Sequence, residues 1–399
     1  MSWKRKRLDE LGSISRGRSK HRPRNDPALY NGEYPFIQTA DVKNSNFYIT
    51  DYTQTYNERG LSQSKLWNKG TLCITIAANI ADTGILGMDA CFPDSIMGFI
   101  PYDDKSDVRF IKYCFDILQK NCQQISQGAT QDNLSWEKLS TILFPAPSLE
   151  TQKRIADILS TYDELIEKNQ KQLKLLEEAT QRLYKEWFVD LRFPGYENTP
   201  IVDGVPQGWE VLEIGDVFKT LLGGTPSREK SEYWENGTIP WINSGKVNEL
   251  RVVQPSEYIT DIALNKSATK LLPKHTTLVA ITGATLGQVS YTEIETCANQ
   301  SVVGIVDEKQ IHSEYIYCYI SDNIKKLIGK ATGGAQQHIN KDIVNNFPFM
   351  VPSMEITKLF KHNVEPLFNK ISSLLFMNIG LEEARDRLLP KLMSGELEV

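Results

Sequence analysis

Residue types that could contact a polyanion are concentrated near the start of the chain. Residues 1–24 hold nine Lys or Arg against two acidic residues, an excess of +7 in a chain whose net charge is −5. Gly and Ser interleave with these cations, a mixture that lets a backbone approach phosphates and sends arginines to guanine edges. The candidate DNA-contacting residues are Arg16, Arg18, Lys20, Arg22 and Arg24. The alternative is a solvated or flexible basic loop.

Two further sets of polar residues suit contact with nucleic acid. A less basic counterpart of the first loop, residues 223–230, contributes Thr225, Ser227 and Arg228. Asn and Gln match adenine edges, and they follow Gly-Ala pairs at two places in the chain. These candidates are Gln131, Asn133, Gln336, Gln337, His338 and Asn340. Loop amides are also ordinary turn formers, so base contact and a structural role both stand as interpretations.

Patterns typical of catalysis are scarce. The sequence has no G-x-x-x-x-G-K-[ST] phosphate loop, no glycine-rich cofactor turn followed by an acidic residue, and no Asn-Pro-Pro-Tyr. The one nuclease-like pattern is Asp94 with Asp103, Asp104 and Lys105, which could supply metal-binding carboxylates and a lysine. Its second copy replaces Pro93-Asp94 with Asn299-Gln300. We therefore expect no catalytic residues and no metal site.

Composition restricts the class of protein. A chain of 399 residues fits two or three domains, and 40% hydrophobic with 24% charged residues is typical of a globular protein. No apolar run of about 18 residues predicts a membrane span, and the basic start lacks the apolar stretch of a secretory signal. The six cysteines form no C-x-x-C pair, which argues against zinc ribbons and disulfides. We expect a cytoplasmic protein.

Self-similarity gives the domain organisation. Segments recur at an offset of about 206 residues, far too long for a solenoid unit, so each copy must be a whole domain with a tail. Cys91, Ser95 and Gly98 return as Cys297, Ser301 and Gly304. The closest echo ends each copy, where Leu176-Glu177-Glu178-Ala179 returns as Leu381-Glu382-Glu383-Ala384.

The tails are predicted to be helices. Apolar residues at three-four spacing continue for roughly 35 residues in each tail, or about 50 Å of helix. Ser148 suits the N-cap of the first helix, whereas Pro366 is expected to bend or interrupt the early turns of the second. A single stripe of this kind could be one face of a globular core, but two matching stripes favour a coiled-coil pair.

The linker at residues 189–208 sets the predicted direction of the two helices. It is rich in Pro and Gly, and a parallel pair would require it to run back some 50 Å, near its extended reach of roughly 70 Å. The helices should therefore be antiparallel, with the two globular domains at opposite ends and related by a pseudo-two-fold axis. This arrangement sets Asn169 against Asn378, a buried pair that would fix the helix register.

With these elements in place, the chain resembles the specificity subunit of Type I restriction and modification systems. The motifs that carry the resemblance are Pro147-Ser148-Leu149-Glu150-Thr151-Gln152-Lys153-Arg154-Ile155, Trp187-Phe188-Val189-Asp190 with Phe193-Pro194-Gly195, the Gly208-Trp209 restart, and Leu388-Leu389-Pro390-Lys391-Leu392-Met393-Ser394-Gly395. The expected fold is α+β, with two similar DNA-recognition domains separated by a long antiparallel two-helix coiled coil. The expected segments are target recognition domain 1 at 1–147, conserved spacer helix 1 at 148–188, the linker at 189–208, target recognition domain 2 at 209–352 and conserved spacer helix 2 at 353–393.

The resemblance implies a non-catalytic, sequence-specific DNA-binding subunit that recognises a bipartite DNA target. It also implies two methyltransferase subunits held largely through the helices, and restriction/translocase subunits in the full complex. S-adenosylmethionine, ATP and Mg²⁺ would then belong to the partners, with no cofactor in this chain. The alternatives are a stand-alone DNA nuclease or methyltransferase, which would act on DNA as a purified chain, and a structural coiled-coil adaptor, which would show no sequence preference.

Overall fold

The computed structural model describes residues 3–76, 82–125, 136–309, 311–330 and 338–399. Contacts divide the chain into two compact units. Unit 1 comprises Met1–Asn169 and Asn378–Val399, and unit 2 comprises Gln170–Met377. Each unit therefore contains one copy of the repeated domain together with a stretch of both long helices.

The sheets of unit 1 are built from short strands. The strands are β1 (Arg5–Arg7), β2 (Gly12–Arg16), β3 (Tyr30–Phe36), β4 (Tyr48–Ile49), β5 (Gln54–Tyr56), β6 (Leu66–Trp67), β7 (Leu72–Thr75), β8 (Thr83–Leu86), β9 (Ala90–Cys91), β10 (Ile96–Pro101) and β11 (Leu143–Pro145). The helices are α1 (Leu8–Leu11), α2 (Thr39–Asn44), α3 (Glu58–Ser62), α4 (Val108–Ile125) and α5 (Trp136–Thr141), and the long α6 (Leu149–Tyr184) begins in this unit. One sheet has the order β2-β10-β7-β8-β4, a second has β5-β3-β9-β6, and β1 pairs with β11.

Unit 2 contains the second set of strands and helices. Its strands are β12 (Ile201–Val202), β13 (Val205–Pro206), β14 (Glu210–Glu213), β15 (Lys219–Leu222), β16 (Ile239–Ile242), β17 (Arg251–Val252), β18 (Glu257–Ile259), β19 (Leu271–Leu272), β20 (Thr277–Ala280), β21 (Val289–Thr292), β22 (Thr296–Ala298), β23 (Val302–Val306) and β24 (Pro348–Val351). Its helices are α7 (Ile214–Val217), α8 (Asp261–Lys266), α9 (Ser313–Ile328) and α10 (Lys341–Asn345), and the long α11 (Met354–Ser394) begins here.

The sheets of unit 2 repeat those of unit 1 strand for strand. Their orders are β15-β23-β20-β21-β17 and β18-β16-β22-β19, and β14 pairs with β24. The parallel pairs recur as well, since β3–β9 and β4–β8 correspond to β16–β22 and β17–β21. The β12–β13 hairpin is an addition within the linker. The predicted α+β class and internal repeat are thereby confirmed.

Both long helices begin at a serine N-cap. The Ser148 hydroxyl accepts a hydrogen bond from the Thr151 amide at 3.2 Å, and the Ser353 hydroxyl accepts one from the Ile356 amide at 3.4 Å. These bonds satisfy amides that have no partner within the first helical turn. A π-helical segment, Lys185–Val189, extends α6. No helix among the described residues has both the length and the apolar character needed to cross a membrane.

Of the two outcomes expected at Pro366, a bend or an interruption, the interruption is wrong, because α11 is one helix from Met354 to Ser394. A proline inside a helix costs about 3 kcal/mol through a lost hydrogen bond and a clash with the preceding turn. Val364 and Phe368 flank it and are buried in the core of unit 2. Burial of two such side chains contributes roughly 1.5–3 kcal/mol each, enough to keep the helix continuous.

The core of unit 1 is closed by side chains from both long helices. Ile155 and Leu159 of α6 and Leu389 and Leu392 of α11 are buried in one cluster with the sheet and α4. Within this unit Arg385 of α11 donates a hydrogen bond to Asp163 of α6. Asp163 also accepts a hydrogen bond from the Tyr113 hydroxyl of α4 at 2.5 Å.

The Asn169 side-chain amide donates to the Asn378 side-chain oxygen at 2.7 Å, and both side chains are buried. Together with the Asp163–Arg385 contact, this pairing shows that the helix segments in unit 1 run antiparallel. The structure thus brings together the two asparagines proposed to set the helix register.

Unit 2 uses the same antiparallel pairing with larger side chains. Trp187 and Phe188, at the end of α6, contact Phe360 near the start of α11, with ring centroids 5.8 and 4.9 Å apart. Leu173, Ile371 and Leu374 form a small cluster further along the helices. The aromatic contacts join the helix ends to the sheet core of unit 2.

A buried cation fastens the helices to the sheet in unit 2. The Arg251 side chain is fully buried and its guanidinium donates to the Glu177 carboxylate of α6 at 3.0 Å. The guanidinium carbon lies 4.3 Å from the Tyr317 ring centroid and 4.7 Å from that of Phe368 on α11. Because a buried charge is costly without partners, Arg251 favours one placement of both helices on this domain.

The asparagine pair gives a test of the helix register. Asn378→Leu leaves the buried Asn169 amide without its partner, and we expect a loss of about 1–3 kcal/mol in the free energy of unfolding. The double variant Asn169→Leu/Asn378→Leu should regain this loss, since no polar group is then buried alone. Urea unfolding followed by circular dichroism measures both. Lys171→Gln, at an exposed position of α6, is the control, and a single variant as stable as the wild type would contradict the pairing.

Candidate nucleic-acid interface

The basic loop of unit 1 is held against the sheet by its backbone. The Gly17 amide donates to the Ile96 carbonyl at 2.8 Å, and the Arg18 amide donates to the Phe92 carbonyl at 3.0 Å. A Cβ at Gly17 would lie 2.4 Å from the Phe92 and Pro93 carbonyl oxygens, so only glycine permits this close approach. The loop therefore leaves the sheet in a defined direction.

Three of the five candidate cations in this loop are engaged by the protein itself. Arg18 Nε donates to the Ser64 carbonyl at 2.9 Å, and Arg22 donates to the Ser19 carbonyl at 2.7 Å. Arg24 forms an ion pair with Asp94 at 2.7 Å. Arg16 and Lys20 are exposed and make no ion pair with the described residues. These two are the side chains best placed to neutralise phosphates.

A cleft of about 250 Å³ adjoins the basic loop, with Ser19 and Arg24 among its lining residues. The Phe36 and Tyr56 rings stack at 4.0 Å in its wall, and the buried Tyr56 hydroxyl lies 3.4 Å from that of Ser19. Gln38 and Gln54 also line it, and the Gln38 amide donates to the Gln54 side-chain oxygen at 2.7 Å. The cleft thus combines aromatic surface with amide groups, a combination that suits a nucleobase.

The counterpart loop of unit 2 presents an arginine in a fixed orientation. Arg228 donates from both terminal nitrogens to the two Glu257 carboxylate oxygens, at 2.6 and 2.7 Å. Its guanidinium carbon lies 3.5 Å from the Trp234 ring centroid. The hydrogen bonds from Arg228 hold the pKa of Glu257 below its usual range, and the same bonds raise the pKa of Arg228. Both groups are therefore charged at neutral pH.

The other candidates in this loop are also placed by hydrogen bonds. The Thr225 hydroxyl donates to the Gln300 side-chain oxygen at 2.6 Å. The Ser227 carbonyl accepts from the Trp234 indole at 3.0 Å, which fixes the ring beneath Arg228. Thr225, Ser227 and Arg228 are all exposed.

The amide candidates near the Gly-Ala pairs are only partly within the described residues. Gln131, Asn133, Gln336 and Gln337 lie outside them. His338 is exposed and forms an isolated β-bridge with Thr282. The Asn340 side-chain oxygen accepts from the Ile343 amide at 2.8 Å and caps α10, so a structural role is visible for this residue.

Sequence reasoning missed Gln38, Gln54, Trp234 and Glu257. The segment between Phe36 and Gln54 is two residues longer than the one between Trp241 and Glu257. A fixed offset between the two copies therefore does not align Gln54 with Glu257. Alignment of the two copies with a gap in this segment would have revealed the equivalence.

The nuclease-like pattern does not form a metal site within the described residues. Asp94 is paired with Arg24, and Asp103 and Asp104 are exposed in the turn after β10. In this part of the chain no three His, Cys, Asp or Glu side chains are grouped so that they could hold a metal ion.

Comparison with known proteins identifies the family. A family model described as "Type I restriction modification DNA specificity domain" matches residues 1–178 and again residues 206–374. The chain belongs to this family. The double match follows the same duplication as the sheets.

Two relatives match this chain along nearly their whole length. The chain is 26% identical to the Type I restriction enzyme MjaIX specificity subunit of Methanocaldococcus jannaschii, covering 100% of this chain and 94% of the relative. It is 24% identical to the HindI specificity subunit of Haemophilus influenzae, covering 97% and 98%. Its fold is similar to that of a Type-I restriction-modification system S subunit from M. genitalium, with a TM-score of 0.60, 16% identity and coverage of 98% and 96%.

The two exposed cations of the basic loop, Arg16 and Lys20, give a test of phosphate contact. In the variant Arg16→Gln/Lys20→Gln we expect DNA binding to weaken uniformly across sequences, because phosphates carry no sequence information. The slope of log K against log salt should fall by about 1 for each lost contact. Fluorescence anisotropy over a salt series measures both. Lys153→Gln, an exposed cation of α6, is the control, and an unchanged slope would place phosphate contact elsewhere.

Proposed function

We propose that this chain is the non-catalytic, sequence-specific DNA-binding specificity subunit of a Type I restriction and modification complex. The observation that carries the proposal is the repetition of one sheet arrangement in two units whose exposed loops differ in chemistry. Two copies of one scaffold with different polar loops suit a bipartite DNA target whose two halves differ. The family membership of both copies supports the same conclusion.

Different side chains of the exposed loops would contact the phosphates and the bases. Arg16 and Lys20 would contact phosphates and set the position of the duplex, which contributes affinity without sequence information. Polar side chains beside aromatic rings, such as Gln38 and Gln54 in unit 1 and Arg228 in unit 2, would contact base edges. A stand-alone nuclease or methyltransferase has less support, because the one candidate carboxylate cluster includes Asp94, which is engaged by Arg24.

The partners proposed for this subunit are two methyltransferase subunits, joined by restriction/translocase subunits in the full complex. Apolar side chains exposed on the long helices support a protein partner there: in unit 2, Leu175 is 65% exposed, Phe376 43% and Met377 48%. Large apolar side chains exposed on the same stretch of a helix pair favour burial against another chain. S-adenosylmethionine, ATP and Mg²⁺ would be bound by the partners, and the complex would act on DNA in the cytoplasm.

Exchange of one domain tests the proposed function. We expect a chain whose residues 1–145 are replaced by the same segment of another family member to change one half of the methylated motif and leave the other half intact. Single-molecule methylome sequencing of a host that carries this chain with its methyltransferase subunit reports both halves and the gap. A motif that changes in both halves, or methylation without a bipartite motif, would contradict the proposal.

The helix surface gives a separate test of partner binding. We expect Leu175→Glu and Phe376→Glu to reduce co-purification of the methyltransferase subunit at least about tenfold, since each places a charge in an apolar interface. Lys171→Glu, an exposed charge change on the same helix, is the matched control. Full retention of the partner by both variants would place the interface on another surface.

A further inference from the structure

One strand position is equivalent in the two copies of the repeat but carries a different side chain in each. In unit 1, Phe36 of β3 lies opposite Gln54 of β5 in the sheet register, and in unit 2, Trp241 of β16 lies opposite Glu257 of β18. The strand on the other side also matches, because Phe36 pairs with Cys91 and Trp241 with Cys297. Gln54 and Glu257 therefore occupy the same place in the two copies.

In unit 2 this position holds an arginine. Glu257 accepts one hydrogen bond from each terminal nitrogen of Arg228, and the Trp234 ring covers one face of the guanidinium. Trp234 in turn packs edge-on against the buried Trp241, with ring centroids 5.3 Å apart. We call this arrangement of Arg228 with Glu257 and Trp234 the clamp. It uses two of the five N–H donors of the arginine and leaves three, including Nε–H. The Arg228 side chain nevertheless stays 51% exposed.

The clamped arginine has the chemistry of a guanine reader. The major-groove edge of guanine offers two acceptors, N7 and O6, to a pair of parallel N–H donors. Adenine offers N7 but places a donor amino group beside it, which repels a guanidinium. An arginine already ordered by a carboxylate and a ring loses less side-chain entropy on binding than a mobile one.

In unit 1 the same position carries amides in place of the ion pair. Gln54 accepts the hydrogen bond from Gln38 beside the 250 Å³ cleft. Arg24 also lines this cleft, and its guanidinium forms an ion pair with Asp94. A glutamine amide supplies the donor and acceptor pair that matches N7 and N6 of adenine.

We propose that the strand position occupied by Gln54 in unit 1 and Glu257 in unit 2 determines base specificity in both half-sites. Arg228, positioned by Glu257 and Trp234, reads a guanine in one half-site. The Gln38–Gln54 amide pair reads an adenine in the other. This inference rests on the proposed function and names the bases that the two recognition sites take.

The test uses the complex of the full chain with its methyltransferase subunit, and reads out the methylated motif and the affinity for each single-base variant of the wild-type site. Arg228→Lys keeps the charge but loses the planar fork, so selectivity for one guanine should fall roughly 5- to 150-fold while non-specific DNA affinity is kept. Glu257→Gln should lower the same selectivity to a smaller extent. Gln54→Ala should relax an adenine in the other half-site only.

Lys219→Gln is the matched control, because it breaks another exposed ion pair of unit 2, that of Lys219 with Glu308 at 2.9 Å. It should leave the motif unchanged. Arg228→Lys and Glu257→Gln variants that melt earlier but keep full guanine selectivity would overturn the inference and make the clamp purely structural. A wild-type complex without any sequence preference would instead overturn the proposed function, and the inference with it.

Discussion

Each compact unit depends on burial of apolar side chains from both long helices against its sheet. In unit 1 the first half of α6 and the end of α11 close the core, and in unit 2 the end of α6 and the first half of α11 do so. Neither copy of the repeat therefore completes its core with its own tail alone. The polar groups along these helix segments are paired, Asn169 with Asn378 and Glu177 with Arg251. A shift in register would break these pairs, so the contacts that stabilise the cores also favour one pairing of the helices.

Comparison of the two copies separates the structural features that they share from the side chains in which they differ. Strand order, strand direction and the glycine approach at Gly17 and Gly223 recur, and both glycines donate to the equivalent carbonyls of Ile96 and Val302. The differences are found on exposed surfaces, where an amide pair in one unit replaces a clamped arginine in the other. Cores tolerate little change in volume or polarity, whereas exposed loops tolerate much. A single scaffold can therefore present two unlike polar surfaces.

The helices were predictable from sequence because their signal is local. Three-four spacing and a serine cap each concern residues within a few turns, and the pairing of Asn169 with Asn378 followed from a single topological argument. The sheets were not predictable in the same way. Strands as short as Tyr48–Ile49 carry no readable alternation, and parallel pairs such as β3–β9 join distant segments. The interruption expected at Pro366 was wrong because the energetic cost of a proline within a helix is offset by burial of Val364 and Phe368. Only the folded core supplies that burial.

The candidate site shows the same division. Counting charges located the basic loop but could not show that Arg18 and Arg22 donate to backbone carbonyls, or that Arg16 and Lys20 form no ion pair within the described part of the chain. The Arg228–Glu257 clamp joins residues 29 positions apart, and the Gln38–Gln54 pair joins residues 16 positions apart. Their chemistry becomes visible only when the folded chain brings these residues together.

The composition of unit 1 has a consequence for synthesis of the chain. Its globular domain is made on the ribosome well before residues 378–399, which share a core cluster with Ile155 and Leu159. At about 5–20 residues per second, the growing polypeptide carries an uncovered apolar face for tens of seconds before these residues are added. Termination before residue 378 would leave that face open to chaperones and proteases, so unit 1 is completed only when translation has passed this segment.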